Sequence, residues 1–300
     1  MGSENRDGSA LPAGSGNPGA LIITGDGLNC ERETARAFTL AGAECDLVHI
    51  RDMLQRAKSL GDYDALVFIG GFSNGDHLGA GTVQASRFRH SLKEDLRRFI
   101  AQGGPIIGIC NGFQTLVKMG ILPGVPPAGR GMADGWARNA TIAVNDCGKF
   151  EDRWVHLTVN PDSPCIWTRG LKQLFLPVRH GEGKFFMAEP AHLDLLESNN
   201  QVVARYATAE GVPTQSYPEN PNGSLRAIAA VCDATGLIFG LMPHPESYIS
   251  PYNHPSWTRD TALGCSLPPE GQGLAIFRNA VAYLRGQARR RAGKRRGEES

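Results

Sequence analysis

The sequence predicts an α/β fold: a single flavodoxin-like domain whose central, mostly parallel sheet is flanked by helices. Two observations lead there. Short apolar runs bounded by Gly, Asp or Pro recur along the chain, the pattern of buried strands. Up to Gly120 they alternate with helical patterns, and a strand–helix–strand order implies parallel strands with helices on both faces. The composition agrees, because 41% hydrophobic and 20% charged residues fit a packed chain and argue against disorder.

The early strands are Ala20–Thr24, Ala65–Ile69 and Pro105–Ile109. Between them, Glu31–Ala41 is rich in helix formers and is followed by Gly42, which suits a helix C′ position. In Ser91–Ala101, Leu92, Leu96, Phe99 and Ile100 form one apolar stripe that faces a sheet. After Ala140 the strands Val155–Val159, Leu174–Val178, Val202–Tyr206, Ile228–Cys232 and Leu237–Leu241 follow one another with few helices, so antiparallel members are expected. A long loop, Tyr248–Gly273, precedes a final helix over 274–285, marked by Leu274, Phe277, Val281 and Leu284. One domain over 20–286 results, with a flexible Gly/Ser/Pro-rich leader at 1–19 and a basic tail at 287–300.

Charge and cysteines narrow the function. The chain holds 31 Lys and Arg against 30 Asp and Glu, which disfavours a dedicated nucleic-acid binder. That balance is uneven: Arg285–Ser300 is strongly basic, so the body is acidic. No apolar run reaches the roughly 18 residues of a membrane span, and the leader lacks the apolar stretch of a secretory signal. The Cys count of 7 is odd, the spacing is irregular and no C-x-x-C occurs, which makes a poor disulfide framework or zinc site. A reducing cytoplasm is the expected location.

The chemistry concentrates in Pro105–Gly120, a buried strand, then Gly108-Ile109-Cys110-Asn111-Gly112, then a helix. G-x-C-x-G is the cysteine form of the nucleophile elbow, in which small neighbours permit a strained turn. The helix N-terminus beneath the sulfur favours thiolate, and the Asn111 amide is placed to meet an oxyanion. A thiol nucleophile needs a base and a group that orients it. His244, at the end of the strand Leu237–Leu241, is the base, and Glu246 reaches back to set its tautomer. After another strand, Gly70-Gly71-Phe72-Ser73-Asn74-Gly75-Asp76 lets backbone amides approach a ligand, with Gly71 or Phe72 as the second oxyanion donor. Its spacing fits neither a dinucleotide nor a Walker loop.

These motifs together resemble the triad (class I) glutamine amidotransferases, through GICNGFQ at Gly108–Gln114 and PHPE at Pro243–Glu246. More narrowly they resemble the glutaminase subunits of phosphoribosylformylglycinamidine synthase, through GLNCERET (27–34), GGFSNGD (70–76), RWVHL (153–157), HGEG (180–183), NPNGS (220–224) and MPHPE (242–246). Asn74 stands where that family usually has Tyr. The resemblance implies L-glutamine as substrate, with Gln114 at its amino-acid end and His180, Gly181 and Glu182 lining the same pocket. It also implies a synthetase subunit that uses ATP and Mg²⁺ on formylglycinamide ribonucleotide, and often a small accessory subunit. No cofactor is expected in this chain. The alternative is a free-standing cysteine hydrolase of γ-glutamyl amides on the same fold, which would need no partner.

Overall fold

A computed structural model describes residues 16–124, 136 and 138–298, with side chains to Arg290. The leader expected at 1–19 therefore lies mostly outside the described residues. The first half runs β1 (Gly19–Thr24), α1 (Glu31–Ala41), β2 (Glu44–His49), α2 (Ile50–Leu54), β3 (Ala65–Phe68), α3 (Thr82–Ser91), α4 (Lys93–Ala101), β4 (Ile106–Ile109) and α5 (Asn111–Met119). The second runs β5 (Ala140–Val144), β6 (Glu151–Val159), β7 (Gln173–His180), β8 (Glu182–Met187), α6 (Pro190–Ser198), β9 (Val202–Ala207), β10 (Ile228–Cys232), β11 (Ile238–Leu241), α7 (Trp257–Ala262) and α8 (Leu274–Glu298).

The main sheet has the order β2-β1-β3-β4-β11-β10-β9-β6-β7. Strands β2, β1, β3, β4 and β11 are mutually parallel. From β11 outward each pairing is antiparallel. Every residue of β3, β4, β10 and β11 is buried, as strands covered on both faces require. A separate ribbon pairs β5 with β8.

Three departures from the sequence reading have physical causes. The helix expected over Ser91–Ala101 begins at Lys93, because Ser91 closes the separate helix α3 and Leu92, at φ −122°, ψ 11°, buries its side chain at the break between them. Strand β2 was not legible because it is an edge strand, largely half-buried, without a continuous apolar run. The final helix does not stop at Arg285: its backbone runs to Glu298 through the segment expected as a basic tail. Arg, Lys, Ala and Gln dominate that segment and all propagate helix well.

The parallel half places the carboxyl ends of β3, β4 and β11 side by side, where open α/β sheets gather their sites. Behind this edge α5 is almost wholly buried. It approaches β3 so closely that a Cβ added at Gly112 would lie 1.9 Å from the Phe68 carbonyl oxygen. A methyl group there has no flexible neighbour to displace. Gly112→Ala is therefore expected to destabilise the fold by about 3 kcal/mol or more, read as a lower urea midpoint. An unchanged midpoint with full activity would contradict this packing.

Candidate active site

Cys110 joins β4 to α5 in a conformation few non-glycine residues adopt, φ 51° and ψ −106°. Such strain persists only where the surroundings over-determine it. The Cys110 amide donates to the Leu241 carbonyl at 2.9 Å, and the Cys110 carbonyl accepts from the Gln114 amide at 3.0 Å. The turn is thereby tied to both β11 and α5, and the thiol is lifted out of the strand line. Its Sγ lies 3.6 Å from the Arg179 carbonyl at the end of β7. The side chain is buried, with 4% relative exposure.

His244 follows β11, and its amide donates to the Pro177 carbonyl at 2.8 Å. Its ring lies over Gly70, where a Cβ would come within 2.7 Å of Cε1. Nδ1 faces Glu246 Oε1 at 2.6 Å, and both residues are buried. Burial alone would push the imidazole pKa down. The Glu246 charge, with the neighbouring Cys110 and Cys30 thiols, outweighs it, and His244 is held well above its ordinary value. Among the described residues, Nε2 has no hydrogen-bond partner. Glu246 thus fixes the Nδ1 side of the ring, leaving Nε2 for a proton in transit.

The two amides expected as oxyanion donors separate on inspection. Asn111 is the first residue of α5, where backbone N–H groups have no carbonyl one turn back. Phe72 is not available, because its N–H donates to the Gly27 carbonyl at 2.8 Å. That leaves Gly71 as the candidate second donor, and its neighbours Gly70 and Phe72 make the bonds to the Gly27–Asn29 turn. The Asn111 side chain fastens this loop to the elbow. Its Oδ1 accepts from the Ser73 amide at 3.3 Å, and its Nδ2 donates to Asp76 at 3.1 Å and to Gln114 Oε1 at 2.9 Å.

Gln114 meets Glu182 beside the elbow, with Gly181 next to Glu182 in the chain. Gln114 Nε2 donates to the Glu182 carbonyl at 2.6 Å. The Glu182 carboxylate accepts from the Ala80 amide at 3.2 Å and lies 3.8 Å from Lys118. Gly181 accepts from the Asn145 amide at 2.9 Å. Burial, reinforced by the Glu182 charge, raises the Asp76 pKa despite its hydrogen bond from Asn111.

His180, expected to line the glutamine pocket, is buried and held at both ring nitrogens. Nδ1 meets Asn145 Oδ1 at 3.1 Å and Nε2 meets Asn222 Nδ2 at 3.4 Å, deep inside the protein. Asn145 already donates through Nδ2 to the carbonyls of Lys149 and His180, so its oxygen faces the ring and Nδ1 carries the proton. Burial, aided by the His244 charge, pushes the His180 pKa down to about 3. Its folded value lies below its unfolded value of about 6.5. The neutral ring therefore supports stability above pH 6.5, and that support is lost as pH falls toward 3. His180→Asn is expected to flatten this acid limb of the stability curve by up to about 1.4 kcal/mol per pH unit. An acid limb identical in both proteins would contradict it.

Residues 17–284 match the model of the CobB/CobQ-like glutamine amidotransferase domain. The chain belongs to that family. This amidotransferase is 45% identical over 265 residues to a phosphoribosylformylglycinamidine synthase subunit PurQ of Dehalococcoides mccartyi, covering 88% of this chain and 97% of that one. It is 41% identical over 273 residues to a PurQ of Methanococcus maripaludis, at 89% and 97% coverage. Among solved structures it matches PurLQS from Thermotoga maritima at a TM-score of 0.63 and 28% identity, covering 89% of this chain and 99% of that one. It also matches 80% of its length to 18% of human phosphoribosylformylglycinamidine synthase, at 34% identity.

Residue-type reasoning missed four groups of the amidotransferase site. Cys30 lies with Sγ 4.0 Å from His244 Nδ1, although 214 residues separate them. Asp76, Asn145 and Asn222 position Asn111 and His180. Cys30, Asp76 and Asn222 fall inside the quoted stretches GLNCERET, GGFSNGD and NPNGS. Their roles depend on contacts between distant segments, which spacing does not reveal.

Proposed function

We propose that this amidotransferase is the glutaminase subunit of a phosphoribosylformylglycinamidine synthase. On this reading it hydrolyses L-glutamine and delivers ammonia to a synthetase subunit that converts formylglycinamide ribonucleotide to formylglycinamidine ribonucleotide in de novo purine biosynthesis. The observation that supports it most is the buried Cys110–His244–Glu246 arrangement, with Nδ1 2.6 Å from the carboxylate, in a chain that matches PurQ proteins nearly end to end. The reducing cytoplasm such a pathway occupies suits a chain whose seven cysteines are all free.

The chain's own residues account for each step. Cys110 attacks the side-chain amide carbonyl as His244 Nε2 takes the thiol proton. The amides of Asn111 and Gly71 hold the oxyanion. The imidazolium, stabilised by Glu246, protonates the departing ammonia, and a γ-glutamyl thioester remains. His244 then activates water to hydrolyse it. Gln114, Gly181 and Glu182 hold the amino-acid end, and His180 braces the β7–β8 corner beside them. Acceptor activation needs ATP and Mg²⁺, which belong to the synthetase, with a small accessory subunit bridging the two chains. In the human enzyme the matching stretch is only 18% of a longer chain, which suits a separate synthetase part.

The test is glutaminase turnover with and without a purine-pathway synthetase subunit, ATP and formylglycinamide ribonucleotide. Low turnover alone, stimulated by the partner and coupled to product, is expected. Full turnover alone, unaffected by the partner, would contradict the reading and favour a free-standing hydrolase of γ-glutamyl amides.

A further inference from the structure

A second thiol sits on the far side of the catalytic imidazole from the reacting atoms. Cys30 precedes α1 and is buried, with 5% relative exposure. Its Sγ, His244 Nδ1 and a Glu246 oxygen all lie within 4.8 Å of one another. Glu246 Oε2 is buried without a donor among the described residues, so this carboxylate has an unused acceptor. A cavity of about 160 Å³ is lined by Cys30 and His244 together with Asn29, Glu33, Phe72 and Arg179 among others. One soft ligand, one imidazole nitrogen and one carboxylate form the mixed donor set that zinc accepts.

We propose that Cys30, His244 and Glu246 form an inhibitory binding site for Zn²⁺. The separations are 2.6 Å for Nδ1 to Oε1 and 4.0 Å for Nδ1 to Sγ. They bracket the ligand–ligand spacing around a tetrahedral ion, about 3.3–3.8 Å for bonds of roughly 2.0–2.3 Å. Side-chain adjustments of about an ångström bring three atoms that already lie within 4.8 Å of one another to that spacing, with water as the fourth ligand. Binding displaces the Cys30 thiol proton and the Nδ1 proton to solvent, so affinity rises with pH. With the ion on Nδ1, the remaining ring proton is fixed on Nε2. The imidazole then cannot accept the proton of Cys110, and turnover stops without any change at the nucleophile.

The proposal rests on the geometry of the His244–Glu246 pair and is testable apart from glutamine chemistry. Co²⁺, as a coloured probe, is added to the folded Cys110→Ala protein, which lacks the nucleophilic thiol. A thiolate-to-cobalt charge-transfer band is expected, and it should vanish in Cys110→Ala/Cys30→Ser. In the otherwise native protein, Cys30→Ser should raise the Zn²⁺ concentration for half-inhibition of glutaminase by about tenfold or more. Circular dichroism checks that all three variants fold. A band that persists without Cys30, or no band in Cys110→Ala, would overturn the assignment. So would Zn²⁺ inhibition that Cys30→Ser leaves unchanged.

Discussion

Replacing Cys110 by Ala is expected to lower glutamine-dependent synthesis by about 10⁴–10⁶-fold, the cost of removing a nucleophile from a preorganised site. Synthesis supported by added ammonia should survive in the same mixture, because the synthetase still receives its nucleophile from solution. The strained turn at Cys110 makes the substitution informative. Alanine occupies the same backbone position, contributes the same amide hydrogen bond to Leu241, and removes only sulfur. Loss of both glutamine-dependent and ammonia-dependent synthesis would point instead to a damaged complex. Retention of glutamine-dependent synthesis would remove Cys110 from the mechanism. The measurement is the rate of formylglycinamidine ribonucleotide formation with each nitrogen source.

Glu246→Gln is expected to cost about 10²–10⁴-fold in kcat. The carboxylate and the ring nitrogen are 2.6 Å apart and both buried, so no water can substitute. A glutamine amide either accepts the same bond without charge or turns its NH₂ to the ring and forces the wrong tautomer. The pH dependence distinguishes this from simple disruption. Glu246 contributes to raising the His244 pKa, so the imidazolium that protonates ammonia persists to higher pH in the native protein. Without the carboxylate, the alkaline limb of the kcat profile should move to lower pH. The stability sign agrees: a raised imidazole pKa stabilises fully below the unfolded value of about 6.5 and is lost as pH rises through the folded value. An alkaline limb that does not move would contradict the role assigned to Glu246.

Much of this site was legible because its chemistry is local in sequence. Cys110 is identified by two glycines, a strand and a helix within one short segment, and His244 and Glu246 are two residues apart. The strands β3, β4 and β11 were legible because burial on both faces leaves uninterrupted apolar runs. What stayed hidden depends on contacts across the chain. What separates Phe72 from Gly71 is one carbonyl, Gly27, more than forty residues upstream, which accepts from the Phe72 amide. The environment of His180 was set by Asn145 and Asn222, on two separate loops. The β5–β8 ribbon escaped notice because its residues are mixed polar and apolar and half-exposed on one strand. The extended α8 escaped because charge patterning reads as a tail whether or not its backbone is helical.

The covalent step is the centre of the mechanism, and one measurement reaches it directly. Protein mixed with glutamine, quenched in acid during turnover and digested, should yield the peptide containing Cys110 with the added mass of one γ-glutamyl group, labile to hydroxylamine. The same peptide should be unmodified in His244→Asn, where the thiol proton has no acceptor. Turnover with no adduct on Cys110, or an adduct on Cys30 or another thiol, would contradict the mechanism.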